Sequence, residues 1–400
     1  MSVDDTVGES RADPPTPDSS APEPIPGLEP ILDDFAAAAE MEAEPEKRRD
    51  LTVVRRIAIG AWVILLIGEF LLEGLAIDRT SLIILMCLGL LAGCIGRRKA
   101  ITVIIDWLPF ALILILYDLV RNFAQAIDMP VQWHLAVDVD QWMFGVNPTV
   151  WLQTHLKEPT APWWEVVVSI VYMSFFVIPY AVAGVLWLRD RMAWRRYAAC
   201  FIATSFLALI GYTLVPAAPP WAAAKCTAAD VVDHPHDPPC MYQLAGPVED
   251  NLLGDVEPTH EGANPYVERI SSRGWDFLGI AVASSLVEVG QGKSNLVAAI
   301  PSLHAGLSML LALFMWPRVK ALGKVLFMAY PLAMAFALVY TAEHYVFDIL
   351  LGWGLAAIVI VAYRVADRTW LIPRQKRLAE EAARAESDDE SAADKVAATS

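Results

Sequence analysis

Residues 345–365 read YVFDILLGWGLAAIVIVAYRV, and this stretch decides the class of fold. It holds one acid near its start, Asp348, and one base near its end, Arg364. A helix of about 20 apolar residues crosses the roughly 30 Å hydrocarbon core of a bilayer. Comparable apolar stretches lie at about 57–77, 81–96, 101–119, 166–188, 198–215, 296–316 and 325–340. The sequence therefore predicts an all-α polytopic membrane protein with about eight transmembrane helices.

The composition of the whole chain excludes two other classes of protein. Of the 400 residues, 56% are hydrophobic, which is too many for an ordinary soluble globule. The formal net charge is -16, with the acids concentrated in residues 1–50, 216–295 and 375–400. Because binding to a phosphate backbone needs clustered cations, no nucleic-acid partner is expected.

Basic residues indicate the orientation of the chain in the membrane. Loops on the cytoplasmic side of a membrane protein collect Lys and Arg. With the N-terminus inside, 20 Lys and Arg residues lie near the inner ends of the predicted spans and seven on the longer outer segments. We therefore expect a protein of the cell membrane with both termini in the cytoplasm and residues 216–295 outside.

The predicted spans leave four regions of different character. Residues 1–50 are acidic and rich in proline, and residues 374–400 are polar, so we expect disordered cytoplasmic tails at both ends. Residues 51–100 contain the first two spans, and residues 101–373 contain the other six. Within the latter, residues 130–163 are rich in Trp and Pro and too polar for a span, which predicts an interfacial segment or a short outer hairpin.

Two of the five cysteines lie in the predicted outer loop. Cys226 and Cys240 are therefore exposed to an oxidising compartment, where a disulfide is permitted. Either a bridge between them or two free thiols fits the sequence. Cys87, Cys94 and Cys200 fall inside apolar stretches and are predicted to be small buried residues.

Two histidines lie where predicted spans begin at the outer surface. His304 follows Pro301 and Ser302, which mark a helix start whose unpaired N–H groups suit an anion such as phosphate. Asp348 follows His344 at i+4, so its carboxylate can hold one imidazole nitrogen and leave the other free. Ionisable residues at membrane helix ends are candidates for function, although His344 and Asp348 could simply tie two helices together.

Other polar residues are less decisive. Arg121 ends the third predicted span on the same outer face, where it could bind an anion or pair with Asp118 at i−3. The remaining histidines show no ligand spacing, so neither a metal nor a cofactor is predicted; they are His134, His155, His234, His236 and His260.

Two motifs carry a resemblance to a known family. PSLHAG at residues 301–306 and HYVFDILLG at residues 344–352 resemble the second and third signature motifs of the type-2 phosphatidic acid phosphatase superfamily. Their Ser-Leu-His and His-Tyr-x-x-Asp forms are most similar to its inositol phosphorylceramide synthase branch. The resemblance covers about residues 101–366 and implies a six-helix phosphatase-like catalytic core.

The resemblance also implies roles for three side chains. His344 would attack phosphorus, Asp348 would orient it, and His304 would protonate the leaving oxygen and later activate the acceptor. A phosphohistidine splits one difficult displacement into two easier steps, and no metal is needed if cations and helix-end amides absorb the charge. Arg121, Ser302 and Lys293 are the residues predicted to bind the phosphate.

The sequence departs from the phosphatase pattern in two places. Leu338 replaces an arginine six residues before the third-motif histidine, and the first motif, a lysine followed by Arg-Pro, is absent. Arg269 or Arg273 could replace the missing cation, as could Lys293. Fewer cations suit a phosphodiester, with about one negative charge, better than a phosphomonoester, with about two.

These observations predict an enzyme that transfers a phosphoryl or phospho-head-group through a phosphohistidine at the extracytoplasmic face. The donor would be a membrane lipid, either a phospholipid or a polyprenyl phosphate, and the acceptor a lipid or a polyol. A lipid phosphatase that uses water, and a non-catalytic lipid-binding or transport protein, are the alternatives. The sequence leaves the donor, the acceptor and the oligomeric state open.

Overall fold

Helices account for the regular structure of the described chain, as the apolar stretches predict. The structure is a computed structural model that describes residues 51–72, 79–96, 100–125, 129–243, 246–254, 259, 266–280, 284, 299–371, 373–374 and 377. The predicted disordered tails lie outside these residues, apart from positions 374 and 377. The prediction of an all-α membrane protein is confirmed.

The long helices occupy most of the predicted spans. In chain order the first seven are α1 (Thr52–Leu72), α2 (Arg79–Cys94), α3 (Ala100–Gln125), α4 (Leu135–Phe144), α5 (Pro148–Leu156), α6 (Trp163–Ser174) and α7 (Ile178–Arg189). They are followed by α8 (Arg191–Leu214), α9 (Pro220–Ala223), α10 (Ala228–Asp233), α11 (Arg273–Phe277), α12 (Leu303–Met315), α13 (Ala321–Tyr340) and α14 (Val346–Ala366).

Membrane-spanning length is clearest in three helices. By length and apolar composition α8, α13 and α14 can each cross a bilayer, and α6 with α7 adds a fourth span if the bent pair crosses as one. Among the described residues this gives three or four spans, so the total of eight stays a prediction. Shorter apolar helices occur at Ile84–Cys94 and Ala100–Ile113.

The predicted continuous span at 166–188 was wrong in its geometry. Helices α6 and α7 are bent by 54° at the break between Ser174 and Ile178. Pro179 lies in the first turn of α7, where its missing N–H costs nothing, whereas the same missing donor could not continue the hydrogen bonds of α6. The chain therefore leaves α6 and restarts as a second helix.

The predicted span at 296–316 also begins later than expected. Ser302 has extended backbone, and its side chain accepts a hydrogen bond from the Ala305 N–H, so α12 starts at Leu303. Helix α12 is almost wholly buried and packs against α8, α13 and α14. Gly306 and Gly352 bring α12 and α14 together, since a Cβ at Gly352 would overlap the Ser302 carbonyl.

The Trp-rich segment 130–163 forms two short helices, α4 and α5. Trp142 is 84% exposed, whereas Ala136, Val137 and Asp140 on the same helix are buried. Helix α4 packs on α5 and on α14, so its inner face lies against the last long helix. This agrees with a short hairpin rather than a span, and it places α4 beside the start of α14.

Candidate active site

His344 lies in the turn that joins α13 to α14. The N–H groups of Glu343 and His344 both donate to the Leu338 carbonyl, and Ala342 adopts a left-handed φ of 61°. These bonds cap the end of α13 and reverse the chain within five residues. His344 is 7% exposed, so its imidazole is held inside the protein rather than at its surface.

His344 and Asp348 form the pair that their spacing predicts. The distance from His344 Nδ1 to Asp348 Oδ2 is 3.4 Å, and the Tyr345 N–H donates to the same oxygen at 3.1 Å. Asp348 is fully buried, and its Oδ1 has no hydrogen-bond partner among the described residues. The carboxylate can therefore fix the orientation of the imidazole.

His304 faces His344 from the first turn of α12. The centroids of the two imidazole rings are 5.8 Å apart. Rings from the end of α6 and the break after it cover His304, with Tyr172 stacked at 5.6 Å and Phe175 at 4.0 Å. The Nε2 atom of His304 is buried without a hydrogen-bond partner among the described residues, so it is free to exchange a proton with a bound ligand.

A buried ion pair adjoins His344 and was not predicted from the sequence. Arg269 donates through Nε and Nη2 to the two carboxylate oxygens of Glu343 at 2.9 and 2.7 Å, and Ser271 Oγ donates to the same carboxylate at 2.9 Å. Burial alone would favour the neutral acid, but the charge and hydrogen bonds of Arg269 and the bond from Ser271 lower the pKa of Glu343. An acid directly before His344 at a membrane helix end was the available signal.

The surroundings of His344 favour its neutral form. Burial is the main cause, and it lowers the pKa of His344 to about 4, with a smaller contribution from the positive charge of Arg269. The Glu343 carboxylate and a hydrogen bond to the Ala299 carbonyl act in the opposite direction. At neutral pH the ring therefore carries no charge, as a nitrogen nucleophile requires.

The predicted phosphate-binding residues are only partly described. Ser302 is fully buried beside His304, where its hydroxyl caps α12. Lys293 and the side chain of Arg121 lie outside the described part of the chain. Of the proposed replacements, Arg269 adjoins His344, whereas Arg273 binds the Glu165 carboxylate at 3.3 Å and the Glu158 carbonyl at 2.7 Å.

Two further features concern the rest of the predicted site. Cys226 and Cys240 are joined in a disulfide whose Cα atoms are 5.3 Å apart. In the described ranges, no three His, Cys, Asp or Glu side chains are grouped so that they could hold a metal ion.

An all-α membrane fold with two facing histidines fits a lipid phosphotransferase or lipid phosphatase, and comparison with known proteins shows an enzyme of this kind. The family model for the PAP2 superfamily matches residues 136–362, more than half of the chain, and the chain belongs to this superfamily. The phosphoinositol dihydroceramide synthase of Bacteroides thetaiotaomicron is 24% identical over 322 residues, which cover 78% of this chain and 90% of the relative. No solved structure matches the chain. The resemblance inferred from the two motifs is thus confirmed.

Proposed function

We propose that this enzyme transfers a phospho-head-group from a lipid donor to a hydroxyl acceptor through a phosphohistidine. The observation that carries the proposal is the arrangement of His304, His344 and Asp348, with the two rings 5.8 Å apart and the dyad atoms 3.4 Å apart. A phosphorus atom between the two rings would meet a neutral nitrogen on one side and a proton donor on the other.

The reaction proceeds in two displacements. When the anionic phosphodiester binds, its negative charge lets His304 take up a proton. In the first displacement a ring nitrogen of His344 forms a bond to phosphorus, the phosphorus–oxygen bond to the leaving group breaks, and His304 gives that proton to the leaving oxygen. In the second, His304 removes the proton from the acceptor hydroxyl, whose oxygen attacks phosphorus and breaks the phosphorus–nitrogen bond. His344 and the protonated form of His304 are thereby regenerated, and no metal takes part.

The charge at the site supports a phosphodiester donor over a phosphomonoester. Arg269 is the described cation beside His344, and the Glu343 carboxylate balances its charge. A phosphodiester with about one negative charge needs less compensation than a monoester with about two. The name of the bacterial relative describes a product that joins a phosphoinositol group to dihydroceramide, for which phosphatidylinositol would be a suitable donor and dihydroceramide the acceptor. We propose the same chemical classes here, with Arg121, Ser302 and Lys293 assisting phosphate binding.

We also propose that the site faces the extracytoplasmic side of the plasma membrane, with both termini in the cytoplasm. The distribution of Lys and Arg supports this orientation, as does the disulfide at Cys226 and Cys240, because disulfides persist in oxidising compartments. A lipid donor reaches such a site sideways from the membrane.

The test uses purified protein in nanodiscs that contain phosphatidylinositol and dihydroceramide. Mass spectrometry should detect phosphoinositol dihydroceramide with the wild type and none with His344→Ala, whereas the exposed His155→Ala control should retain full activity. Activity should survive chelation of metal ions. Full turnover by His344→Ala would refute the mechanism, and rapid release of inorganic phosphate from phosphatidic acid would instead identify a phosphatase.

A further inference from the structure

Asp140 makes a long-range contact that the motifs do not mention. It lies on α4 and is fully buried. Its two carboxylate oxygens accept hydrogen bonds from the N–H groups of Val346 and Phe347, each at 2.9 Å, although these residues follow it by 206 and 207 positions. A side chain of α4 thus binds the first turn of α14.

The contact replaces a local helix cap. The first N–H groups of a helix have no partner within it, and a side chain at the N-cap position usually satisfies one of them. Asn147, Asp190 and Ser302 do so for α5, α8 and α12. Helix α14 begins after Tyr345, whose own N–H donates to Asp348, whereas the N–H groups of Val346 and Phe347 in the first turn donate to Asp140.

The first turn of α14 is where the candidate catalytic pair is built. His344 lies two residues before Val346, and Asp348 lies two residues after it. A displacement of this turn would move the Asp348 carboxylate and the His344 ring relative to His304 on α12. Asp140 therefore holds the part of the chain on which the geometry of the site depends.

Burial of the charged Asp140 carboxylate lowers the stability of the folded protein. Burial raises the pKa of Asp140 to about 6 even though its two backbone hydrogen bonds oppose the shift, and the charge of Asp348 adds to it. Since the folded pKa exceeds the unfolded value of about 3.9, the folded state is favoured while the group keeps its proton. That advantage is lost as pH rises from about 4 to 6, so charged Asp140 destabilises the protein at neutral pH.

We propose that Asp140 is a positioning residue for the reaction assigned above, fixing the first turn of α14 so that His344 and Asp348 meet phosphorus in line with His304. The inference rests on the proposed function. The two bonds from Asp140 end on the residues between His344 and Asp348, so a change at Asp140 acts on the catalytic pair without removing a group that touches phosphorus.

The test compares Asp140→Asn with Asp138→Asn, an exposed residue of the same helix. Asparagine has one acceptor oxygen in place of two and no charge. We expect kcat of Asp140→Asn to fall at least tenfold at pH 7, with KM within twofold of the wild type and no decrease in Tm. Asp138→Asn should match the wild type in all three, and Asp140→Glu should recover part of the lost kcat.

The pH profile gives a readout that stability alone would not move. The titratable groups whose charges act on or respond to Asp140 are Asp348 and Tyr345 at the start of α14, while α5 contributes only the exposed His155. Below about pH 6 Asp140 gains a proton in the wild type, so kcat should fall towards that of Asp140→Asn and the ratio of the two should shrink. If Asp140→Asn fails to fold, Asp140→Glu takes its place, since it keeps two carboxylate oxygens but shifts them by one methylene; a kcat equal to that of the wild type at unchanged Tm and KM would then overturn the role of Asp140.

Phosphohistidine trapping separates this inference from the proposed function. With phosphatidylinositol labelled at phosphorus, wild-type protein that never becomes labelled would refute the proposed mechanism. Labelling of Asp140→Asn at the wild-type rate, or a kcat within twofold of the wild type at pH 7, would overturn the role of Asp140 alone.

Discussion

At the scale of single residues, one oxygen of Asp348 holds both the His344 ring and the Tyr345 N–H. Loss of this acceptor should therefore disturb the orientation of the catalytic imidazole. Asp348→Asn keeps the size of the side chain but offers one acceptor and an amide that cannot accept from the imidazole. We expect kcat to fall by about 10²–10⁴-fold, the range typical of a lost acid–base or orienting group, with little change in KM. Steady-state assays in nanodiscs measure the effect.

The matched control lies at the other end of the same helix. Asp367→Asn removes a carboxylate that pairs with Arg196 at 3.4 Å, beyond the last turn of α14. It should leave kcat within twofold of the wild type. Equal losses in the two variants would mean that any damage to α14 slows the enzyme and that Asp348 has no special role.

Site residues whose partners are close in the sequence could be predicted, and those whose partners are distant in the sequence could not. His344 and Asp348 are four positions apart, so the helical repeat alone brings them together, and the structure places them 3.4 Å apart. Arg269 meets Glu343 across 74 positions, and Asp140 meets Val346 across 206. Periodicity carries no information about such pairs, because they depend on how whole helices pack.

At the scale of helices, two glycines decide how closely α12 and α14 approach. A Cβ at Gly352 would overlap the Ser302 carbonyl and lie 3.1 Å from the Gly306 nitrogen, whereas a Cβ at Gly354, one half-turn away, would meet nothing within 4 Å. Gly352→Ala should therefore lower the free energy of unfolding by about 1–3 kcal/mol through overpacking. It should also reduce kcat, since Ser302 and the His304 turn must move.

Gly354→Ala is the matched control for Gly352→Ala. Gly354→Ala adds the same methyl group to the same helix and should leave Tm and kcat near those of the wild type or slightly raise Tm, because alanine favours a helix. Thermal unfolding and activity measured on the same nanodisc preparations give both quantities. A Gly352→Ala protein as stable and active as Gly354→Ala would show that the close approach does not matter.

Helix boundaries were the part of the fold that hydropathy predicted least well. The stretch 166–188 is apolar throughout, so hydropathy treats it as one span, yet the chain bends by 54° before Ile178. Pro179 was the usable signal. The late start of α12 at Leu303 was marked by Pro301 and Ser302, which the sequence identified as a helix start even though the apolar stretch begins earlier.

At the scale of the whole molecule, the histidines lie at one end of the helical assembly and a group of cations at the other. His304 lies in the first turn of α12, and in the last turn of the same helix the Phe314 carbonyl accepts a hydrogen bond from Arg318. Arg364 donates to the neighbouring Leu313 carbonyl, and Arg196 binds Asp367 nearby. The orientation expected from the sequence requires such an arrangement, with the cations at the cytoplasmic end and the histidines at the outer end.

The orientation is testable with two single cysteines at opposite ends of the assembly. Thr160 is exposed just before α6, whose Glu165 accepts a hydrogen bond from Tyr340 at the site end of α13, and Lys320 is exposed at the other end of α13. In intact cells a membrane-impermeant maleimide should label Thr160→Cys well above the wild-type background and leave Lys320→Cys at that background. Permeabilised cells should show both, which controls for accessibility. The reverse pattern would place the His304 and His344 rings on the cytoplasmic side and would contradict the proposed extracytoplasmic site.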